Sequence, residues 1–177
     1  LHDLAATPDV IALAFHVDYW DYIGWADTFG SRANSDHQKA YAAAWGSSRI
    51  FTPELVINGQ MGVVGSRAKE VDAALADAAL SVPVMLALGD DMIDVDVGAQ
   101  PGAADAMIWL VTFKDHAQVM IERGENAGKT MDYSQVVTSR QMLGMWDAAT
   151  GTHLRLPMSQ LMTGGANGAA ILVQTGK

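Results

Sequence analysis

Side chains that often carry chemistry lie close together in the string His16-Val17-Asp18-Tyr19-Trp20-Asp21. His16 and Asp18 are two residues apart, so on a strand both side chains point the same way and could bind one metal ion. Two ligands without a third make a weak metal site, and a histidine paired with a neighbouring carboxylate is the commoner arrangement. Asp18 and Asp21 could form an acid and base pair, although surface carboxylates are frequent in an acidic chain. Metal and acid–base chemistry both stay open as minority hypotheses.

The aromatic residues of the same stretch, Tyr19, Trp20, Tyr22 and Trp25, favour a packing role. Aromatic side chains dominate protein cores, and the polar tips of tyrosine and tryptophan then need only a hydrogen-bond partner. The alternative is a surface that holds an unfolded polypeptide or a small thiol substrate. In that alternative Asp18, Tyr19 and Trp20 are candidate substrate-binding residues.

A second candidate site is the Thr52-Pro53 pair. An apolar run follows it, and Asn58-Gly59 then turns the chain into another apolar run, which predicts a β-hairpin because both central residues of a type I′ turn need positive φ. The Thr52-Pro53 bond is expected to be cis, because only prolyl bonds have a small cis penalty and a bend before a strand retains it. A structural role and a substrate-facing role suit Pro53 equally well, so Thr52 and Pro53 are candidate substrate-binding residues.

The elements around these residues alternate between strand and helix. The apolar run Val10–Val17 predicts a strand that is buried on both faces. Ser35 is the predicted N-cap of a helix that ends at Ala44, and Ser66 is the predicted N-cap of a second helix. If the first hairpin strand runs antiparallel to the strand at 10–17, Thr52 meets the HVDYWD string at one edge of the sheet. A Thr-Pro pair, a hairpin and a closing helix are typical of the second half of a thioredoxin-type fold.

The pattern changes near Pro83, where the helical period gives way to short apolar segments. Turn residues separate these segments and predict strands at 84–88, 92–97, 106–113, 118–123, 133–145 (one longer strand or a strand broken by a bulge), 153–156 and 169–174. Residues 123–128 are expected to form a hairpin turn. The spacing suggests a small antiparallel sandwich. We therefore predict an α/β plus β fold, with a thioredoxin-like domain over residues 1–81 and a β-sandwich-like domain over residues 82–177.

Composition argues against several classes of function. The net charge is −9, from 11 basic and 20 acidic residues, and no basic stripe is visible, so a nucleic-acid surface is not expected. No apolar stretch reaches the ~18 residues of a membrane helix. The chain has no cysteine and so no thiol nucleophile or thiolate metal site of its own. Its ten methionines are scattered and are interpreted as core filler, not as a copper site. No cofactor is predicted.

Three stretches resemble a known family: AFHVDYWDYIGWADTF at 14–29, RIFTPELVINGQ at 49–60 and VMIERGENAGKTMDYSQVV at 119–137. The family consists of uncharacterised bacterial proteins with a thioredoxin-like domain and is known only as a domain of unknown function. The resemblance implies a thioredoxin-like first domain, a β-rich second domain and, in many members, an export signal, so a periplasmic or secreted location is expected. It also implies a Cys-x-x-Cys type motif. Residues 1–7 predict the end of a helix, so that motif is expected upstream of Leu1.

Two functions follow as expectations. The first is a thiol–disulfide redox module outside the cytoplasm, whose cysteines lie upstream of Leu1 and whose Thr52 and Pro53 present backbone groups to an extended protein or small thiol substrate. The second is a non-catalytic binding protein that uses the aromatic edge of the same scaffold. In either case the cysteine-free chain itself is expected to be inactive in thiol–disulfide exchange.

Overall fold

A computed structural model describes residues 1–123, 127–161 and 163–176 and shows a mixed α/β fold with mostly antiparallel sheets and few helices. Its helices and strands, in chain order, are α1 (His2–Ala5), α2 (Arg32–Ala44), β1 (Glu54–Ile57), β2 (Met61–Val64), α3 (Ala68–Ala76), β3 (Val84–Leu88), β4 (Met92–Val97), β5 (Ala106–Met120), β6 (Thr130–Trp146), β7 (Thr152–Pro157) and β8 (Gly168–Gln174). Within the described ranges, no helix is long and apolar enough to cross a membrane.

The strands form three antiparallel sheets: the hairpin β1-β2, the sheet β3-β4-β7 and the sheet β6-β5-β8. The hairpin prediction is confirmed, since Asn58 and Gly59 have φ values of 47° and 72°. The Thr52-Pro53 bond is cis, as expected from the sequence. The strands predicted at 84–88, 92–97, 153–156 and 169–174 are also present.

Strand β5 differs from the prediction, because it is one long strand where the sequence indicated two. Residues in the gap between the two predicted strands, such as His116, pair in register with β6. Register shifts at Ile108/Trp109 and Thr112/Phe113 leave one extra residue in β6 at each point, which agrees with the bulge predicted within 133–145. The turn predicted at 123–128 falls largely on residues 124–126, which lie outside the described residues.

The two three-stranded sheets share one hydrophobic cluster. Its buried members come from β4, β5, β6 and the residues just after β6: Ile93, Val95, Val97, Ala106, Ile108, Trp146 and Ala148. The Trp146 Nε1 donates to the carbonyl oxygen of Gly98 at 3.0 Å, so its polar tip is satisfied. Helix α2 contacts the β6-β5-β8 sheet, where Gln174 Nε2 donates to the Tyr41 hydroxyl at 2.8 Å.

The interpretation of the methionines as core filler is wrong for most of them, although Met158 packs against the buried cluster. Of the nine methionines in the described ranges, six are exposed: Met61, Met85, Met120, Met131, Met142 and Met145. Scattered apolar residues on strands can lie on either face, and the sequence alone does not say which face is covered.

The prediction of a strand at Val10–Val17, buried on both faces, is also wrong. Among the described residues, the segment forms no strand and makes two isolated bridges, Ala14 with Val136 and Val17 with Ser31. In the part of the chain that the structure describes, β1 pairs only with β2, so the expected pairing with this segment is absent. An apolar run predicts burial, but the partner strand is a long-range property that the run does not encode.

The predicted helix caps are displaced. Helix α2 begins after Ser31, whose hydroxyl accepts from the Asn34 N–H at 3.2 Å, while Ser35 lies inside the helix and is buried. Helix α3 begins after Arg67 and not after Ser66. Several polar residues near a helix start can serve as the cap, and neighbouring contacts decide between them.

Candidate functional site

The HVDYWD string and the Thr-Pro pair meet on one surface. The Trp20 Nε1 donates to the Thr52 hydroxyl at 3.0 Å. The expected common surface is therefore confirmed, although the sheet pairing that suggested it is not present. Trp20 is 45% exposed, Tyr22 78% and Ile23 63%. We refer to Trp20, Tyr22, Ile23, Thr52 and Pro53 as the Trp20–Thr52 surface.

Ser35 on helix α2 positions the segment Asp18–Trp20, which contributes Trp20 to this surface. The N–H of Asp18 donates to the Ser35 hydroxyl at 3.1 Å, and that hydroxyl donates to Asp18 Oδ1 at 2.5 Å. Ser35 is only 2% exposed, so the pair fixes the start of the Asp18–Trp20 turn against the helix. The predicted site residue Asp18 thus lies beside the surface, where its bonds to Ser35 hold the turn in place.

Gln38, one turn further along α2, connects both sides of the surface. Its Oε1 accepts from the Tyr19 hydroxyl at 2.9 Å, and its Nε2 donates to the Phe51 carbonyl oxygen at 2.7 Å and to Glu54 Oε2 at 2.5 Å. One side chain therefore fixes Tyr19 on one segment and the residues that flank Thr52-Pro53 on the other. Sequence reasoning missed Gln38 because it lies in no motif; its three-residue spacing from Ser35 on one helix face was the available signal.

Tyr19 acts here as a hydrogen-bond donor. Burial raises the pKa of its hydroxyl, the bonds with Gln38 and Thr52 act in the opposite direction, and the nearby Glu54 carboxylate raises the pKa again. The net shift is upward from 10, so Tyr19 stays protonated at neutral pH and keeps its bond to Gln38. The residue is a positioning group and not an acid for neutral-pH chemistry.

The main chain at Thr52 is open. The carbonyl oxygens on either side are occupied, since that of Phe51 accepts from Gln38 and that of Pro53 accepts from the Gly65 N–H at 2.9 Å. Thr52 itself is exposed, and the described residues supply no hydrogen bond to its main-chain N–H or C=O. A free N–H and C=O before the first ladder residue of β1 can pair with an added extended chain.

His16 lies apart from these residues and is paired with Asp27. Its Nδ1 is 2.6 Å from Asp27 Oδ2, and the ring meets Phe29 and Tyr133 edge-on, with centroids 5.7 and 4.9 Å away. Burial raises the pKa of Asp27, but the hydrogen bonds from His16 and the Phe29 N–H outweigh it, so the net pKa is lowered. The histidine–carboxylate pair preferred from the sequence is thus confirmed.

The minority hypotheses gain no support from this geometry. Asp18 is bonded to Ser35 and not to a shared site with His16, and the ranges that the structure describes contain no group of three His, Asp or Glu side chains placed to hold a metal ion. Asp21 Oδ1 accepts from the Asp27 N–H at 3.1 Å, so it stabilises the turn and does not face Asp18 as an acid–base partner.

Two clefts lie elsewhere on the molecule. One of about 560 Å³ is lined in part by Trp25, Thr28 and Val119, and one of about 340 Å³ by Pro83, Gly151 and their neighbours. Neither is lined by Trp20 or Thr52. The Trp20–Thr52 surface lies outside both clefts, and its exposed side chains Trp20, Tyr22 and Ile23 suit contact with an extended polymer better than enclosure of a small ligand.

Comparisons with known proteins give a family and a fold. The family model described as "Protein of unknown function (DUF1223)" matches residues 1–174. The crystal structure of a protein from Agrobacterium tumefaciens, a structural genomics target, is similar with a TM-score of 0.78 and 28% identity, over 100% of this chain and 86% of that chain. A comparison with curated proteins finds no match. The similarity extends over both halves of the sequence.

Proposed function

The chain belongs to the DUF1223 family of proteins of unknown function, and we propose that it binds an extended polypeptide segment at the Trp20–Thr52 surface. In this proposal the first part of the chain serves as a thioredoxin-like scaffold and the β-rich part supports it. The observation that carries the proposal is the exposed Thr52 main chain, with no partner in the described ranges, beside an exposed indole.

The main-chain groups of Thr52 supply the first contact. An extended segment that lies along residues 51–53 can exchange hydrogen bonds with the Thr52 N–H and C=O, as in strand addition to a sheet edge. Gln38 holds both sides of the surface in place, so little ordering is needed when the segment binds.

The aromatic rings supply the second contact. Trp20 and Tyr22 stack with their centroids 6.4 Å apart and an interplanar angle of 28°, which leaves a continuous apolar face for side chains of the bound segment. Asp18 and Glu54 flank this face, and the chain carries a net charge of −9. Segments that combine aromatic or aliphatic residues with lysine or arginine should therefore bind best.

A labelled, permanently unfolded polypeptide tests this proposal by fluorescence anisotropy. We expect binding in the micromolar range, and the Trp20→Ala variant should lose about 10-fold in affinity, which is ~1.4 kcal/mol. Ile11→Ala is the matched control, because Ile11 is an exposed apolar residue outside this surface. Equal affinity for the parent chain and the Trp20→Ala variant would show that this surface is not the binding site.

Thiol–disulfide exchange is the second candidate function. The open Thr52 main chain also suits this reaction, since an extended substrate that pairs there would keep its disulfide close to an attacking thiolate. In this proposal the thiol comes from outside the 177 residues, and the protein works in an oxidising compartment, either the periplasm or the extracellular space.

The chain by itself is expected to show no turnover in an insulin reduction assay. It has no thiol, so no mixed disulfide with the substrate can form. Turnover above a buffer control would contradict the assignment of the reactive thiol to a group outside this chain.

A further inference from the structure

Strand β3 is an apolar edge strand that is exposed along its whole length. Its sequence is VMLAL, it pairs only with β4 among the described residues, and each of its five residues is exposed. Leu86 is 49% exposed and Leu88 72%. Edge strands are normally protected by charges, proline or a bulge, and β3 has none of these within its range.

The outward main-chain groups of β3 follow from its register with β4. The N–H of Gly98 donates to the Pro83 carbonyl oxygen at 2.9 Å. The N–H of Gly89 donates to the Met92 carbonyl oxygen, also at 2.9 Å. Hydrogen-bonded pairs alternate along an antiparallel ladder, so the residues at 85 and 87 bond to β4. The N–H and C=O groups that point away from β4 are those of Val84, Leu86 and Leu88.

The side chains of these three residues lie on the same face of the sheet as the hydrophobic core, but they are exposed to solvent. Paired residues of an antiparallel ladder point to the same face of the sheet. Val84, Leu86 and Leu88 lie opposite Val97, Val95 and Ile93, which are buried in the core cluster. The core face of the sheet thus continues onto β3, where it is exposed.

Of the two edge strands of the β3-β4-β7 sheet, β3 is the one without charged residues. The opposite edge, β7, carries His153 and Arg155, which approach the carboxylates of Asp94 and Asp96 on β4. If two β3 strands paired, the two β4 strands would lie three strand spacings apart, roughly 14 Å, beyond the ~8 Å screening length at physiological salt. Two copies of an acidic chain can therefore approach here with little repulsion.

We infer that β3 pairs antiparallel with β3 of a second copy, with Leu86 on the two-fold axis. The outward groups repeat symmetrically about that residue, so Leu86 faces its own equivalent and Val84 faces Leu88, with every outward N–H and C=O paired. Two three-stranded sheets become one continuous sheet of six strands. The exposed core-face side chains of both copies then cover one another.

Sedimentation velocity over a dilution series tests this inference. A five-residue strand pair is at the small end of protein interfaces, so we expect a dimer with a Kd on the order of 10 µM. Leu86→Lys and Leu86→Glu should each be monomeric at concentrations where the parent chain dimerises, because like charges meet on the axis. An equimolar mixture of the two should dimerise again, because opposite charges then face each other.

Two further variants secure the interpretation. Leu86→Pro removes an outward N–H and no hydrogen bond to β4, so it should keep the circular dichroism spectrum of the fold and lose the dimer. Met145→Lys, at an exposed apolar position on another strand, should dimerise like the parent chain. A parent chain that stays monomeric throughout the series, Leu86 variants that dimerise normally, or a mixture that stays monomeric would each overturn the inference.

Discussion

His37 on α2 is the residue whose protonation is most strongly affected by the fold. Its ring lies 5.3 Å from Phe15 and 4.8 Å from Tyr41, centroid to centroid. Burial, and then the Arg140 charge, lower its pKa from 6.5 to about 4. As the pH falls from 6.5 towards 4, the unfolded chain takes up a proton that the folded chain does not bind. The contribution of His37 to the free energy of unfolding is therefore fully present above pH 6.5 and is lost within that window.

We expect the His37→Phe variant to lose this pH dependence. The free energy of unfolding of the parent chain should fall by at most about 3 kcal/mol between pH 7 and 4, and by less where solvent reaches the ring. Urea denaturation at several pH values measures the difference between the two proteins. His2→Phe, at an exposed histidine, should follow the parent chain, and a His37→Phe variant that keeps the full pH dependence would contradict the assignment.

Helix α2 is the element that holds the candidate surface together. Gln38→Met removes the bonds to Tyr19, Glu54 and the Phe51 carbonyl oxygen while keeping the size of the side chain. We expect a loss of about 1–2 kcal/mol in stability, since partly buried polar groups lose their partner. We also expect about 10-fold weaker polypeptide binding with a red-shifted tryptophan emission.

The adjacent Lys39→Met variant is the control for Gln38→Met. Lys39 is exposed and bonds only to Asp36 among the described residues, so this variant should bind and unfold like the parent chain. If Gln38→Met matches it in both measurements, α2 does not position the surface through this residue.

Elements defined by local chemistry could be predicted, and elements defined by distant partners could not. Asn58-Gly59 specifies its own turn, so the hairpin was predictable from the residues alone. The segment at 10–17 pairs with no strand along its length in the described ranges, and the sequence cannot show that Ser35 bonds to Asp18 instead of capping the helix. Of the site, the meeting of Trp20 with Thr52 was predictable and the role of Gln38 was not.

At the scale of the whole molecule, contacts cross the predicted boundary between residues 1–81 and 82–177. Ala14 donates to the Gln135 carbonyl oxygen at 2.7 Å and accepts from the Val137 N–H at 2.9 Å. Tyr41 and Gln174 also bond across it at 2.8 Å. The division into two domains stays a prediction from the change in sequence pattern.

We expect these contacts to make the two parts unfold together. Main-chain pairing and helix packing across the boundary couple their stabilities, so one cooperative transition should result. Urea unfolding followed by tryptophan fluorescence and by far-ultraviolet circular dichroism should give the same midpoint with both probes. Two separate midpoints would show that the parts are independent.

The six exposed methionines give this chain a surface that reacts with peroxide. Each thioether can gain one oxygen and become a polar sulfoxide, and because these side chains lie outside the buried cluster, the gain does not force a polar group into the core. A folded molecule should therefore take up several oxygen atoms, countable by intact mass spectrometry, before it loses its structure. These exposed thioethers should therefore react with an oxidant before the indole of Trp146, which is buried in the cluster, is reached.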